Sequence, residues 1–294
     1  MNFGIITFMR KSYFLLIIIY LSFPSSSNSI IKIEKFKAYS SNFNYLPSLT
    51  NKAFKRGEEL TYKLHYGFLD AAYVNLNITN EKIKFKGRET FHVIGIGKTT
   101  GITDWIFKVK DRYETYIDEK SLVPWLFKRR VNEGGYIINQ DYSFDRFNNK
   151  VITENRKEFY VSENMQDMIS AYYQARTLDL SNIKQGDVIS LNCFIDDEVF
   201  PVKIKFEGLQ MIEIKLGKFK CLKFTPIIQT GRIFKDENDL SLFISNDENH
   251  ILIKAEADIL FGTVEVELTE FKGLLNKLNC KIILKKTRHW GGVL

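Results

Sequence analysis

From Glu58 onward, apolar and polar residues alternate along most of the chain with a period of two. Leu60, Tyr62, Leu64 and Tyr66 are separated by polar residues, and similar runs recur between short turns that contain Gly, Asn or Asp. This alternation is typical of half-buried β-strands, and the short connections favour antiparallel pairing. The sequence therefore predicts a mainly β protein.

One segment in the middle of the chain has a helical period instead. Its apolar residues recur at spacings of three and four: Met165, Met168, Ile169, Tyr172 and Tyr173. With Ser162 as a possible N-cap, the spacing predicts one central amphipathic helix over about 163–177. We expect it to lie on the concave side of long, curved antiparallel strands, in a lipocalin-like or lipoprotein-carrier-like partial barrel. Trp105, Phe107 and Val109 alternate with other residues, and they predict a strand that continues towards Tyr113.

The N-terminus has the pattern of a secretory signal peptide. Arg10 and Lys11 precede an apolar stretch over 13–23, and a small-residue site follows at Ser27-Asn28-Ser29. This stretch is shorter than the roughly 20 apolar residues that span a bilayer. We therefore expect cleavage near Ser29, a periplasmic or other cell-envelope location, and no transmembrane helix afterwards.

The predicted organisation has five parts. These are a signal peptide (1–29), an N-terminal extension (30–53), a first β half (54–160), a central helix segment (161–180) and a second β half (181–294) packed with the first as one unit.

Composition narrows the possible partners. The 294 residues are 45% hydrophobic and 14% aromatic, which excludes a disordered chain. Lys and Arg number 42 against 35 Asp and Glu, a formal charge of +7. Because the lysines alternate with apolar residues, as on the wet face of a strand, we expect no nucleic-acid partner.

The three cysteines leave two possibilities open. Cys193 and Cys221 lie on adjacent predicted strands and could form one disulfide in an oxidising compartment, whereas Cys193, Cys221 and Cys280 could equally be buried free thiols. No Cys or His residues have the spacing of a metal site. We therefore expect neither a metal nor another cofactor.

Three motifs carry a resemblance to a known family. They are Gly-Glu-x-Leu-x-Tyr over 57–62, Asp-Arg-Tyr-Glu-Thr over 111–115 and Asp-x-x-Ser-Ala-Tyr-Tyr over 167–173. In this order the chain, roughly from Phe54 to Leu268, resembles the bacterial domain of unknown function numbered 3108, whose members are exported envelope proteins of mostly β structure. The resemblance implies a fold and a place in the envelope. It implies no activity and no catalytic residue.

Two sets of residues are candidates for a site. The first is aromatic and could line an apolar groove, although strand aromatics more often fill a core: Tyr66, Trp105, Tyr113, Trp125 and Tyr172. The second is charged and is expected to form a structural network between strand and helix rather than a catalytic site: Asp111, Arg112, Asp167 and Arg176.

Two functions fit these observations. The first is a non-enzymatic envelope protein that binds a lipid-like or other apolar ligand, or a partner protein, in an aromatic-lined groove. The alternative is an envelope hydrolase or glycan-processing enzyme, whose carboxylate pair would come from Asp104, Asp111, Glu114 or Asp167.

Overall fold

The structure is a computed structural model that describes residues 46–227, 239–259 and 262–282. In these ranges the elements are, in chain order, β1 (Glu59–Tyr66), β2 (Leu69–Ile78), β3 (Ile83–Phe85), β4 (Arg88–Thr99), α1 (Gly101–Ile106), β5 (Lys110–Asp118), β6 (Pro124–Glu133), β7 (Tyr136–Asp145), β8 (Lys150–Thr153), β9 (Glu158–Tyr160), α2 (Met168–Arg176), β10 (Val188–Ile195), β11 (Glu198–Ile214), β12 (Gly217–Pro226), β13 (Leu240–Ser245), β14 (Leu252–Ile259), β15 (Gly262–Lys272) and β16 (Lys281–Ile282). The predicted signal peptide and most of the N-terminal extension lie outside the described residues.

The strands form one continuous antiparallel sheet. Its order is β10-β11-β12-β13-β14-β15-β1-β2-β4-β5-β6-β7-β8-β9, with β3 on β4 and β16 on β12. Strand β1 joins the two halves of the chain because it pairs with β2 on one side and with β15 on the other. The prediction of a mainly β, antiparallel fold is confirmed. The sheet is not closed, since β9 and β10 are its two edge strands and do not pair with each other.

Helix α2 lies inside the curve of this sheet. On one side Ile169 approaches β4, where a Cβ added at Gly95 would lie 3.5 Å from the Ile169 side chain. On the other side the backbone N–H of Leu252, in β14, donates to the Tyr172 hydroxyl at 3.2 Å. All helix residues except Tyr172 and Ala175 are buried. The helix is therefore enclosed for most of its length.

The helix begins later than predicted. Asp167, not Ser162, is the N-cap: its carboxylate accepts from the backbone N–H of Ile169 and Ser170, and the Ser170 hydroxyl accepts from the Asp167 N–H. This reciprocal capping box satisfies donors that a helix start otherwise leaves free. The preceding Gln166 is extended, because it forms an isolated parallel bridge beside β10.

A second helix replaces part of a predicted strand. Residues Gly101–Ile106 form α1, so Trp105 is helical and β5 begins only at Lys110. Gly101 has a φ of 58°, a left-handed conformation that glycine adopts without steric cost. The Thr99 hydroxyl donates to Asp104 in the helix at 2.9 Å. These local features end the alternation that favoured a strand.

The three cysteines are buried free thiols, and no Cys193–Cys221 disulfide is formed. Cys221 and Cys280 share the core between β1, β12, β14 and β15. Cys193 lies elsewhere, with its thiol 4.0 Å from the Asp167 carbonyl oxygen at the start of α2. Burial raises the pKa of Cys221 to about 12, so this thiol is protonated at neutral pH.

No helix within the described ranges is both long enough and apolar enough to span a membrane.

Candidate functional site

An apolar cavity of about 230 Å³ lies between α2 and the inner face of the sheet. Strands β1 and β2 contribute Leu64, Val74 and Leu76 to its wall. Strand β12 contributes Phe224 and Pro226 to the opposite wall. The other residues of this wall come from β10, β11 and β13 and are aliphatic: Ile189, Leu191, Val202, Ile204, Leu242 and Ile244. An apolar cavity of about 150 Å³ already accommodates a benzene-sized molecule. The space is therefore large enough for a small apolar group or part of an acyl chain.

The polar residues of the cavity wall are Tyr172 and Arg176 on the helix and Tyr62, Tyr113 and His250 outside it. Arg176 is fully buried, and its guanidinium donates to both carboxylate oxygens of Glu58 at 2.6 and 2.8 Å. It also donates to the carbonyl oxygens of Asn249 and Ala53. Burial alone would lower the pKa of Arg176, but the Glu58 carboxylate raises it above its ordinary value. The charge is thus neutralised within the wall, and the cavity is not cationic.

Aromatic rings surround the Arg176 guanidinium. Its central carbon lies 5.4 Å from the ring centre of Phe54, 5.6 Å from that of Tyr172 and 5.1 Å from that of Tyr173. Rings at these distances attract a cation through their quadrupoles. Tyr172 and Tyr173 belong to the helix itself, so the C-terminal end of α2 is fixed by the ion pair with Glu58 and by the Phe54 ring.

The N-terminal end of α2 is fixed to β5. The Thr115 hydroxyl donates to the Asp167 carboxylate at 2.6 Å, while the other oxygen of the same carboxylate caps the helix. Burial raises the pKa of Asp167 in spite of these hydrogen bonds.

The three motifs behind the family resemblance meet at this helix. Glu58, in the first motif, pairs with Arg176, which lies three residues beyond the third. Thr115, in the second, bonds to Asp167 in the third. The helix is consequently tied at its N-terminal end to β5 and at its C-terminal end to Glu58, which directly precedes β1.

The five aromatic residues predicted to line one groove lie in different parts of the structure. Tyr113 and Tyr172 line the cavity. Trp125 is buried elsewhere, with its indole N–H donating to Asp118 at 3.1 Å. Trp105 lies on α1 and is 87% exposed, and Tyr66 lies at the end of β1 beside Gly262. Tyr66, Trp105 and Trp125 are therefore not part of this cavity.

The four charged residues predicted to pair with one another each have another neighbour. Arg176 pairs with Glu58, and Asp167 bonds to Thr115 and its own helix. Asp111 is buried and accepts from the backbone N–H of Asn132 at 3.1 Å. Arg112 is exposed and pairs with Glu114, two residues away on the same strand. The pairing network predicted from the sequence is therefore wrong in its partners, because it assumed that nearby elements place these particular side chains face to face.

None of the carboxylates suggested for a hydrolase lines the cavity. Asp104 accepts from Thr99, and Glu114 is held by His92 at 2.8 Å and by Arg112. Asp111 and Asp167 are buried in the contacts described above. Within the described ranges, no three or more His, Cys, Asp or Glu side chains are grouped so as to hold a metal ion.

The sequence offered little sign of the other cavity residues. Ile189, Leu191, Val202 and Ile204 alternate on β10 and β11 like ordinary core positions. Glu58 was visible as part of a motif, but its partner lies 118 positions away. Only the curvature of the sheet brings these residues to one cavity.

The fold and the cavity define a class of protein: an open, strongly curved antiparallel sheet that wraps around one helix and leaves an apolar space beside it. The family model described as "Protein of unknown function (DUF3108)" matches residues 61–269. The chain belongs to this family, as the three motifs predicted.

Among solved structures, three cover 75% of this chain at low identity. A beta-barrel-like protein of the domain of unknown function DUF1849 from Brucella abortus has 8% identity, a TM-score of 0.46 and 98% of its own chain covered. A candidate exported protein with a YmcC-like fold from Bacteroides fragilis has 10% identity, a TM-score of 0.31 and 97% coverage. A candidate lipoprotein from Parabacteroides distasonis has 12% identity, a TM-score of 0.27 and 97% of its own chain covered. A comparison with curated proteins returns no sequence match.

Proposed function

We propose that this protein is an exported envelope protein that binds a lipid-like apolar ligand in the cavity beside α2. The observation that carries the proposal is the wall of the cavity: the residues from β10, β11 and β13 are aliphatic, and the Arg176 guanidinium is already neutralised by Glu58. Ligand sites are typically concave and mostly apolar, with few polar groups. A hydrocarbon chain matches such a wall, whereas a charged ligand would lose its hydration against the aliphatic side.

The envelope location rests on the N-terminal sequence. A basic pair, a short apolar stretch and a small-residue site form the pattern of a cleaved secretory signal. An exported protein meets membranes and the lipids that move between them. A cavity for apolar ligands is consistent with that compartment.

Filling the cavity is expected to abolish ligand binding. Val202 lines the cavity from β11, so Val202→Trp should place an indole in the space that the ligand needs. With Nile red as the probe, fluorescence titration should show saturable binding to the wild type and at least about tenfold weaker binding to Val202→Trp, equivalent to roughly 1.4 kcal/mol.

The same strand offers a matched control. Val199 is 46% exposed and does not line the cavity, so Val199→Trp introduces the same side chain without filling the space. This variant should bind Nile red like the wild type. Equal affinities for all three proteins, with unfolding midpoints unchanged, would contradict the proposed site.

A further inference from the structure

An exposed apolar surface lies at the end of the sheet where the β1–β2 turn connects its two strands; we call this end, formed by strand ends, the rim. We define the rim patch as Phe68 of that turn and Leu69 at the start of β2, together with Ile102, Trp105 and Ile106 of α1. Phe68 is 94% exposed and Trp105 is 87% exposed. The backbone N–H of Thr100 donates to the Ala71 carbonyl at 3.1 Å, which holds α1 beside the start of β2. The two parts of the patch therefore form one surface.

Unpaired lysines border this patch. Lys98, Lys108 and Lys110 are exposed, and none of them forms an ion pair with any residue that the structure describes. Lys98 and Lys110 are directly opposite each other on β4 and β5. Like charges at such positions repel and are destabilising. An anionic partner would relieve that repulsion.

The acidic groups nearby are already engaged. Asp70 lies within 2.6 Å of the Lys63 ammonium and 2.9 Å of the His65 ring, and Asp104 accepts from Thr99. Asp104 keeps its charge, but the three lysines outnumber it, and the border of the rim patch therefore has a net positive charge.

The cavity extends to the rim. Strands β1, β4 and β12 run in the same direction, so Tyr66, Thr99 and Pro226 end at the rim. Pro226 lines the cavity, as does Leu64 near the end of β1. A ligand that enters or leaves at the rim would pass beside the rim patch.

We propose that the rim patch docks the protein on an anionic lipid bilayer, with Phe68 and Trp105 entering the interface and the lysines contacting lipid headgroups. Aromatic side chains flanked by lysines are typical of surfaces that lie in a membrane interface. Each lysine near an anionic surface strengthens binding. The inference rests on the proposed function, because docking here would bring the cavity to the source of its ligand.

Vesicle sedimentation tests this proposal with two lipid compositions, phosphatidylcholine alone and phosphatidylcholine with phosphatidylglycerol. The wild type should bind the anionic vesicles and bind the neutral ones much less. The double variant Lys108→Glu/Lys110→Glu should lose about thirtyfold or more in affinity. Trp105→Ser should also weaken binding. Vesicles should shift the tryptophan emission of the wild type to shorter wavelength, and Trp105→Ser should lose that shift.

Tyr160 provides the matched control. Tyr160 is 79% exposed at the end of β9 that lies away from the β1–β2 turn, so Tyr160→Ser should bind vesicles like the wild type. Docking is overturned if the wild type binds neither composition, if the rim variants bind like the wild type, or if Tyr160→Ser is equally impaired. Capture of an envelope protein that depends on Trp105, without vesicle binding, would also overturn it in favour of a protein partner.

Nile red titration separates this proposal from the proposed function. The rim variants should retain wild-type affinity for the dye, which leaves the cavity intact while docking is lost. If Val202→Trp leaves dye binding unchanged and the rim variants still abolish vesicle binding, the cavity proposal fails and the docking proposal stands.

Discussion

Replacing Arg176 by Met is expected to lower the free energy of unfolding by about 3–5 kcal/mol, because the Glu58 carboxylate would be left buried without a partner. The Arg176 side chain is 1% exposed and that of Glu58 is 0% exposed, so water cannot compensate for the loss. Three rings and two carbonyl groups would lose the same partner. Urea unfolding followed by circular dichroism measures the difference.

Arg112→Met is the matched control for this prediction. Arg112 is 44% exposed and pairs with Glu114 at the surface, and such pairs usually contribute less than about 1 kcal/mol. The double variant Arg176→Met/Glu58→Met should lose less stability than the two single variants summed, since it removes both buried charges. A loss below about 1 kcal/mol for Arg176→Met would show that the pair does not fix the helix.

Tyr173→Ala is expected to have the second-largest effect, a loss of about 3–5 kcal/mol, as for other large aromatic residues in cores. Tyr173 is 0% exposed, and its ring packs edge-on against Phe54 with ring centres 4.9 Å apart. Removing the ring would open a void between the helix and the N-terminal segment. Thermal unfolding and urea unfolding should both report the loss.

Tyr173→Phe removes the hydroxyl and keeps the ring, so it measures the contribution of the hydroxyl to stability alone. The hydroxyl is buried and has no hydrogen-bond partner among the residues that the structure describes, so its removal should change stability by less than about 1 kcal/mol. Tyr172→Ala should cost less than Tyr173→Ala, because Tyr172 is only half-buried and lines the cavity. If Tyr173→Ala unfolds at the wild-type urea concentration, the helix does not pack as described.

The pattern of apolar positions predicted the fold class correctly, but it placed the start of α2 too early and predicted a strand where α1 lies. Met165 and Met168 have helical spacing, yet Gln166 between them pairs with β10 and delays the helix to the capping box at Asp167. Trp105 and Phe107 alternate like strand residues, but the left-handed Gly101 directs the chain into α1. At Gln166 a bridge to β10 outweighs the local period, and at Gly101 a left-handed backbone conformation does so.

The candidate site was less predictable than the fold. Tyr113 and Tyr172 could be named from sequence because aromatic residues are conspicuous, whereas the aliphatic wall residues of β10, β11 and β13 resemble those of any strand core. The pair of Glu58 and Arg176 depends on contacts across 118 positions. Alternation shows which residues face inward. It does not show how strongly the sheet curves, and the curvature creates the cavity.

Native mass spectrometry of protein purified from its own envelope without detergent shows whether the cavity holds an apolar ligand. We expect a species heavier than the mature chain by the mass of a lipid-like molecule, present in the wild type and Val199→Trp and absent from Val202→Trp. A bare mature chain in all three, under conditions that preserve a known lipid complex, would contradict a ligand site in this cavity.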